Sequence, residues 1–238
     1  MPAPAQLFVL FHGESSEPRQ LRGLASAIRQ AFSQAAIVLP YGSFRVGDDA
    51  YGWMACDDAG SDAGTPGSAS PQVTSLGLAG AVPALIGLVR GLQQRYGLSG
   101  RHTALAGFSQ GASLVLEACI AQPGLAGRAL FFSGVYAHLP AVAPPETTLH
   151  FLHGADDVMA PVARVGEVHA RLAELRGDAT LDVASSVGHE LHSALIAQAV
   201  LRLQTCVPLR SWKEALGELE VHDAGASVAG SGGRRTLH

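Results

Sequence analysis

Six short apolar runs, each closed by a turn or loop residue and separated by helix-spaced stretches, set the kind of fold open to this chain. They are residues 6–11, 36–39, 103–108, 129–132, 149–152 and 180–184. Runs this short and continuous suit strands buried on both faces, which is how strands of a parallel sheet read. Between them apolar residues recur three or four apart: Leu21, Leu24, Ile28 and Phe32; Leu85, Leu88 and Leu92; Leu114, Val115 and Cys119; Leu195, Val200 and Leu203. That spacing lays a stripe along one side of a helix. Alternating strands and helices, joined by loops rather than hairpin turns, predict an α/β fold: a mainly parallel, doubly wound sheet with helices on both faces. One such domain over residues 1–221, with no large cap domain, accounts for the pattern. The Gly/Ser/Ala-rich stretch 222–238 cannot bury enough surface to offset its ordering entropy and reads as a disordered tail.

Composition narrows the function classes. Hydrophobic residues make up 47% of the 238 positions and charged residues 15%, which provides ample core and little solvated charge. Sixteen basic residues against twenty acidic ones give a net charge of −4, and the basic ones are scattered. Nucleic-acid binding needs a clustered positive surface, so it is set aside. The single lysine, Lys213, lies outside every motif, which sets aside lysine Schiff-base chemistry. The most apolar segment, 76–94, is interrupted by Pro83 and Arg90, so no membrane span is expected. The run Leu7 to Phe11 lacks the basic flank and cleavage site of a signal peptide. Cys56, Cys119 and Cys206 are odd in number and far apart, as reduced, buried thiols would be. A cytoplasmic location follows as the expectation, with the oligomeric state open between monomer and homodimer.

One segment breaks the rhythm. Residues 41–73 are rich in Gly, Ser, Asp and Ala yet carry Tyr51, Trp53 and Met54. A long irregular loop inside a compact domain is usually functional, and these three side chains are the expected wall of a substrate site.

The chemistry centres on Gly107-Phe108-Ser109-Gln110-Gly111, a G-x-S-x-G string. In a chain with 28 glycines the string alone is weak. Its context is specific, because an apolar strand precedes it and a helical run follows, and a sharp turn between the two exposes the serine oxygen above the sheet. The flanking glycines then have a steric task, since strand and helix pass too close for a β-carbon. A serine hydroxyl needs a base within hydrogen-bond reach and a third group to orient that base. His189, in the loop after the last apolar strand, can reach the same carboxyl edge of the sheet. Asp156 and Asp157, after the strand ending at Leu152, are adjacent choices for the orienting acid. The backbone N–H groups of Gln110 and of Glu14, after the first strand, are the expected donors to an oxyanion. His12 is expected to brace that loop rather than move a proton.

At these residues the chain resembles the small carboxylesterases of the acyl-protein thioesterase and phospholipase/carboxylesterase group, in the α/β-hydrolase superfamily. The likeness covers residues 6–220 and rests on Leu10-Phe11-His12-Gly13, Gly107-Phe108-Ser109-Gln110-Gly111, His153-Gly154 with Asp157, and Gly188-His189. It implies a catalytic triad of Ser109, Asp157 and His189, no cofactor and no metal, and a small-molecule ester as substrate. Short-chain carboxylic esters are the expected substrates and thioesters a possible extension, with acyl-protein thioesterase or lysophospholipase-like activity as the alternative. One departure stands out. The family commonly has a second glycine two residues after the one matching Gly13, where this chain has Ser15, preceded by the acidic Glu14. A carboxylate aimed at the oxyanion would oppose catalysis, so either Glu14 turns outward or the pocket differs from its relatives.

Competing readings are weaker. His189-Glu190-Leu191-His192 is one residue short of the H-E-x-x-H zinc helix, and no G-x-G-x-x-G follows the first strand. The aspartates of 57–62 lack the spacing of a calcium loop. The non-enzymatic rival is a hydrolase-fold protein that binds a ligand without turnover.

Overall fold

A computed structural model of the chain describes residues 3–54 and 75–205. The expected tail 222–238, Cys56, Cys206 and the part of the 41–73 loop from residue 55 on lie outside the described residues.

Each of the six apolar runs is a strand. β1 (Gln6–Phe11) and β2 (Ala35–Val38) flank α1 (Arg22–Ala31) in sequence. A short hairpin follows, of β3 (Phe44–Gly47) and β4 (Ala50–Gly52), and then α2 (Ser75–Tyr96). The remaining elements are β5 (Thr103–Phe108), α3 (Gln110–Ala121), β6 (Arg128–Phe132), β7 (Thr148–Gly154), α4 (Val162–Glu174), β8 (Ala179–Ala184) and α5 (Ser193–Thr205). The main sheet runs β2-β1-β5-β6-β7-β8, and every pair in it is parallel.

The two-residue period of the strands divides the core. Leu7, Val9 and Phe11 of β1 and Leu105 of β5 face one side, where α2, α3 and α4 pack through Val89, Val115 and Val168. Phe8 and Leu10, with Ala104, Ala106 and Phe108, face the other, covered by α1 and α5 through Leu24, Ile28, Leu195 and Ala199. Full burial of each such side chain stabilises the fold by about 1.5–3 kcal/mol, and no strand of the sheet can slip by one residue without reversing its faces. Cys119 of α3 is a free thiol inside this core, and burial pushes it up to about 12, so it stays protonated.

The structure differs from the sequence expectation at two places. The buried stripe of α2 is Leu78, Val82, Leu85, Val89 and Gln93, while Leu88 is exposed. The helix is apolar on most sides, so several stripes fit its sequence equally well. Buried Gln93 is satisfied, since its side-chain N–H groups donate to Thr103 Oγ1 at 3.0 Å and Leu125 O at 2.8 Å. The segment 41–54 is also not irregular, because it holds the β3–β4 hairpin. Residues 44–47 are exposed throughout, so no alternation of burial marks them in the sequence.

Candidate active site

β5 ends at Phe108 and α3 begins at Gln110, which leaves Ser109 alone in the turn at φ 53° and ψ −115°. A serine adopts that left-handed backbone only under constraint. The constraint is backbone against backbone. A β-carbon added at Gly107 would lie 2.3 Å from the Gly111 carbonyl, and one added at Gly111 would lie 2.4 Å from Phe11 O. Both glycines therefore carry out the steric task expected of them. The Ser109 N–H donates to Phe132 O at 2.9 Å, which ties the turn to the end of β6.

His189 lies in the loop between β8 and α5. Its Nε2 is 3.0 Å from Ser109 Oγ, and its Nδ1 is 2.8 Å from Asp157 Oδ2. With the serine hydroxyl donating to Nε2, the Nδ1–H donates to the carboxylate. The geometry also separates the two adjacent aspartates. Asp157 is buried and its Oδ1 accepts the backbone N–H groups of Met159 at 3.0 Å and Ala160 at 2.7 Å, whereas Asp156 is exposed. Two further residues support this arm. His153 Nε2 donates to Ala160 O at 2.6 Å, bracing the loop that holds Asp157, and burial lowers its pKa so that it stays neutral. A β-carbon at Gly154 would lie 2.2 Å from Val187 O, so only glycine lets the His189 loop cross the end of β7. The ring of Phe108 packs 5.0 Å from that of His189. His153 and Gly154 were part of the motif, but their structural tasks depend on a loop distant in sequence.

The second arm surrounds the turn after β1. Gln110 is the first residue of α3, so its N–H has no partner within the helix. Gly13 N–H donates to Gln20 Oε1 at 2.8 Å. His12 is buried, its Nδ1–H donates to Gly13 O at 2.7 Å, and its Nε2 accepts the Gly42 N–H at 3.0 Å. Burial lowers its pKa, which suits a neutral brace with one fixed tautomer. Trp53 joins both parts: its Nε1–H donates to His12 O at 2.8 Å and its backbone N–H to Gln110 Oε1 at 3.1 Å. Glu14 does not turn away from this group. It is half-buried; burial raises its pKa, and the Gln110 amide opposes the rise. Ser15, where the family commonly has glycine, adopts φ 49°, a conformation that favours glycine.

Of the three expected wall residues, Trp53 and Met54 are buried and Tyr51 is half-buried. Tyr51 packs its ring 4.9 Å from Tyr41, and its backbone pairs with Ser16, clipping the hairpin onto the turn after β1. Trp53, Tyr41, Leu85 and Leu114 line a cavity of about 240 Å³. Leu114 lies one helical turn beyond Gln110, on the same side of α3.

Comparison with known proteins identifies the family and the fold. The phospholipase/carboxylesterase family matches residues 2–207. Esterase YpfH of Escherichia coli (strain K12) is 32% identical over 212 residues, covering 89% of this chain and 87% of that protein. The crystal structure of esterase PE8 superposes with a TM-score of 0.72 at 25% identity, covering 86% of this chain and 94% of that one. A carboxylesterase from Mesorhizobium loti shares the fold, with a TM-score of 0.67 at 21% identity over 84% of this chain and 89% of that one. The parallel sheet with helices on both faces is an α/β-hydrolase fold, and among the described residues no helix is long and apolar enough to cross a membrane. On the extent of the family match and the identity to YpfH, the chain belongs to the phospholipase/carboxylesterase family.

Proposed function

We propose that this ester hydrolase cleaves short-chain carboxylic esters through an acyl-serine intermediate, using Ser109, His189 and Asp157 and no cofactor. The observation that carries the reading is the unbroken chain from Ser109 Oγ to His189 Nε2 at 3.0 Å and from His189 Nδ1 to Asp157 Oδ2 at 2.8 Å. In the first step Ser109 Oγ bonds to the ester carbonyl carbon while His189 takes the hydroxyl proton. The tetrahedral intermediate collapses, and His189 hands that proton to the departing alcohol. Water then attacks the acyl-serine with His189 again as base, and the acid leaves as Ser109 regains its proton. Asp157 keeps the Nδ1–H in place and stabilises the imidazolium that forms twice per cycle. The N–H groups of Gln110 and Glu14 hold the oxyanion, each such donor being worth about 2.7–4 kcal/mol in the transition state.

One feature supports a small acyl group. Residues 41–54 and α2 line a cavity beside Trp53 of about 240 Å³, below the roughly 300–1,000 Å³ of sites for larger ligands. The same chemistry extends to thioesters, whose leaving group departs more readily. A fluorophosphonate probe should label the wild type rapidly and Ser109→Ala not at all; folded wild-type protein that resists the probe would identify a binder rather than an enzyme. A series of p-nitrophenyl esters and acyl-CoA thioesters of rising length then fixes the acyl preference, expected to peak at short chains.

A further inference from the structure

A second cavity, of about 160 Å³, lies at the amino ends of the strands, on the side of the sheet covered by α1 and α5. Phe8, Ala104 and Arg128 are register partners across β1, β5 and β6, so they form one row along the cavity. Phe32, just past α1, and Leu203, near the end of α5, complete the apolar part, with the Phe32 ring 5.4 Å from that of Phe8. Phe8, Ala104 and Leu203 are buried. The polar part is basic. Arg128 opens β6 and is half-buried, and the exposed Arg101 sits in the turn before β5. His102 also lines the cavity, its Nδ1 3.0 Å from Ser99 Oγ. Among the described residues no Asp or Glu lines it. The ester chemistry above uses none of these side chains.

We infer that this cavity is a second binding site, for a small amphipathic acid: a carboxylate held by the arginines and a tail of a few carbons on the apolar row. A planar guanidinium presents paired N–H donors that match the two oxygens of a carboxylate, and such charge-assisted bonds are stronger than neutral ones. The buried rings and aliphatic groups take the tail, and each CH₂ removed from water favours the bound state. The volume is that of about five liquid waters, which suits a short acid and is too small for a nucleotide or a peptide. β5 runs from Thr103, in the cavity wall, to Phe108, the residue before Ser109. Its residues rise about 3.3 Å each, which puts the site about 20 Å from the nucleophile, at the opposite edge of the sheet. A ligand there touches neither arm of the active site. Ester hydrolysis releases acids of this class, so the ligands include the enzyme's own kind of product. The inference holds whichever residues perform the hydrolysis.

The test titrates hexanoate into the full chain by calorimetry at pH 7.5, beside hexanamide, which keeps the tail and loses the charge, and acetate, which keeps the charge and loses the tail. Hexanoate should bind with a Kd of about 1 mM, and the other two at least about fivefold more weakly. Arg128→Gln should weaken hexanoate about tenfold and Arg101→Gln about threefold, while both variants hydrolyse p-nitrophenyl butyrate within about twofold of wild type. Arg101 is exposed, so its replacement keeps the test open if Arg128→Gln fails to fold. Raising salt from about 0.01 M to about 0.1 M shortens the screening length from about 30 Å to about 10 Å and should weaken hexanoate but not hexanamide. Wild-type protein that takes up no hexanoate at about 10 mM overturns the inference, as does equal affinity for hexanamide or for acetate. An affinity unchanged by the arginine substitutions also overturns it, because the acid then binds elsewhere, as a product held at Ser109 would.

Discussion

The two arms of the site are held by different means. On the arm of Ser109, His189 and Asp157, position comes from backbone packed on backbone. Gly107 touches Gly111, Gly154 touches Val187, and two main-chain N–H groups fix Asp157. On the arm of His12, Glu14, Gln110 and Trp53, position comes from side-chain hydrogen bonds, with a serine at φ 49° where glycine would be relaxed. A β-carbon added at Gly107 or Gly154 would lie 2.3 or 2.2 Å from neighbouring backbone atoms, which leaves no room for change. Side-chain bonds can be exchanged one at a time, each worth about 0.5–1.5 kcal/mol net. The first arm should therefore fail all at once when altered, and the second should change by degrees.

The largest effect that comparison predicts is on turnover. Ser109→Ala and His189→Ala should each lower kcat by about 10⁴-fold or more, and the double variant should be no worse than either single one, because the residues act as a unit. Steady-state kinetics on a p-nitrophenyl ester checks this, and additive losses would break the claim that the arm fails as one piece. Next comes Gly107→Ala, whose methyl meets the Gly111 backbone; a loss of about 3 kcal/mol or more, read from the urea midpoint, is expected. His150 serves as a control, since it lies on β7 with His153 yet belongs to neither arm. Burial, with Arg128 and Arg202 adding to it, lowers its pKa from 6.5 to about 4. The unfolded chain binds that proton at higher pH than the folded one does. The stabilisation is therefore complete above about pH 6.5 and is lost as pH falls through about 4, up to about 3 kcal/mol in all. Urea midpoints against pH should show a shallower acid slope in His150→Asn than in wild type. The smallest effect belongs to the second arm: Ser15→Gly should relieve the left-handed strain and raise stability by up to about 1 kcal/mol, with turnover retained.

What could be read from the chain follows the same division. The strands and the turn at Ser109 were legible because apolar runs and G-x-S-x-G are local records of steric need, and Gly107 and Gly111 meet that need through neighbours in the motif itself. Asp157 was distinguished from Asp156 only through the family likeness; the physical reason is the pair of N–H groups from Met159 and Ala160, visible only once the turn is folded. The β3–β4 hairpin was hidden because the exposed β3 leaves no alternation and β4 is only three residues long, and the buried side of α2 was hidden because Leu88 looks as apolar as Val89. Gln110 was recognised for its main chain alone. Its side chain accepts the Trp53 N–H, from a separate loop that no spacing rule connects to it.

The seating of Gly111 against the carbonyls of Phe11 and His12 bears on how such a scaffold diversifies. The root of the first loop and the head of α3 form a single block, so neither can drift to fit a new substrate without dragging the other. Variation that keeps the enzyme alive must gather outside that block, at positions 14–16 and on the hairpin that Tyr51 clips to Ser16. Libraries built to redirect this enzyme belong there, with the five residues around the nucleophile left as they are.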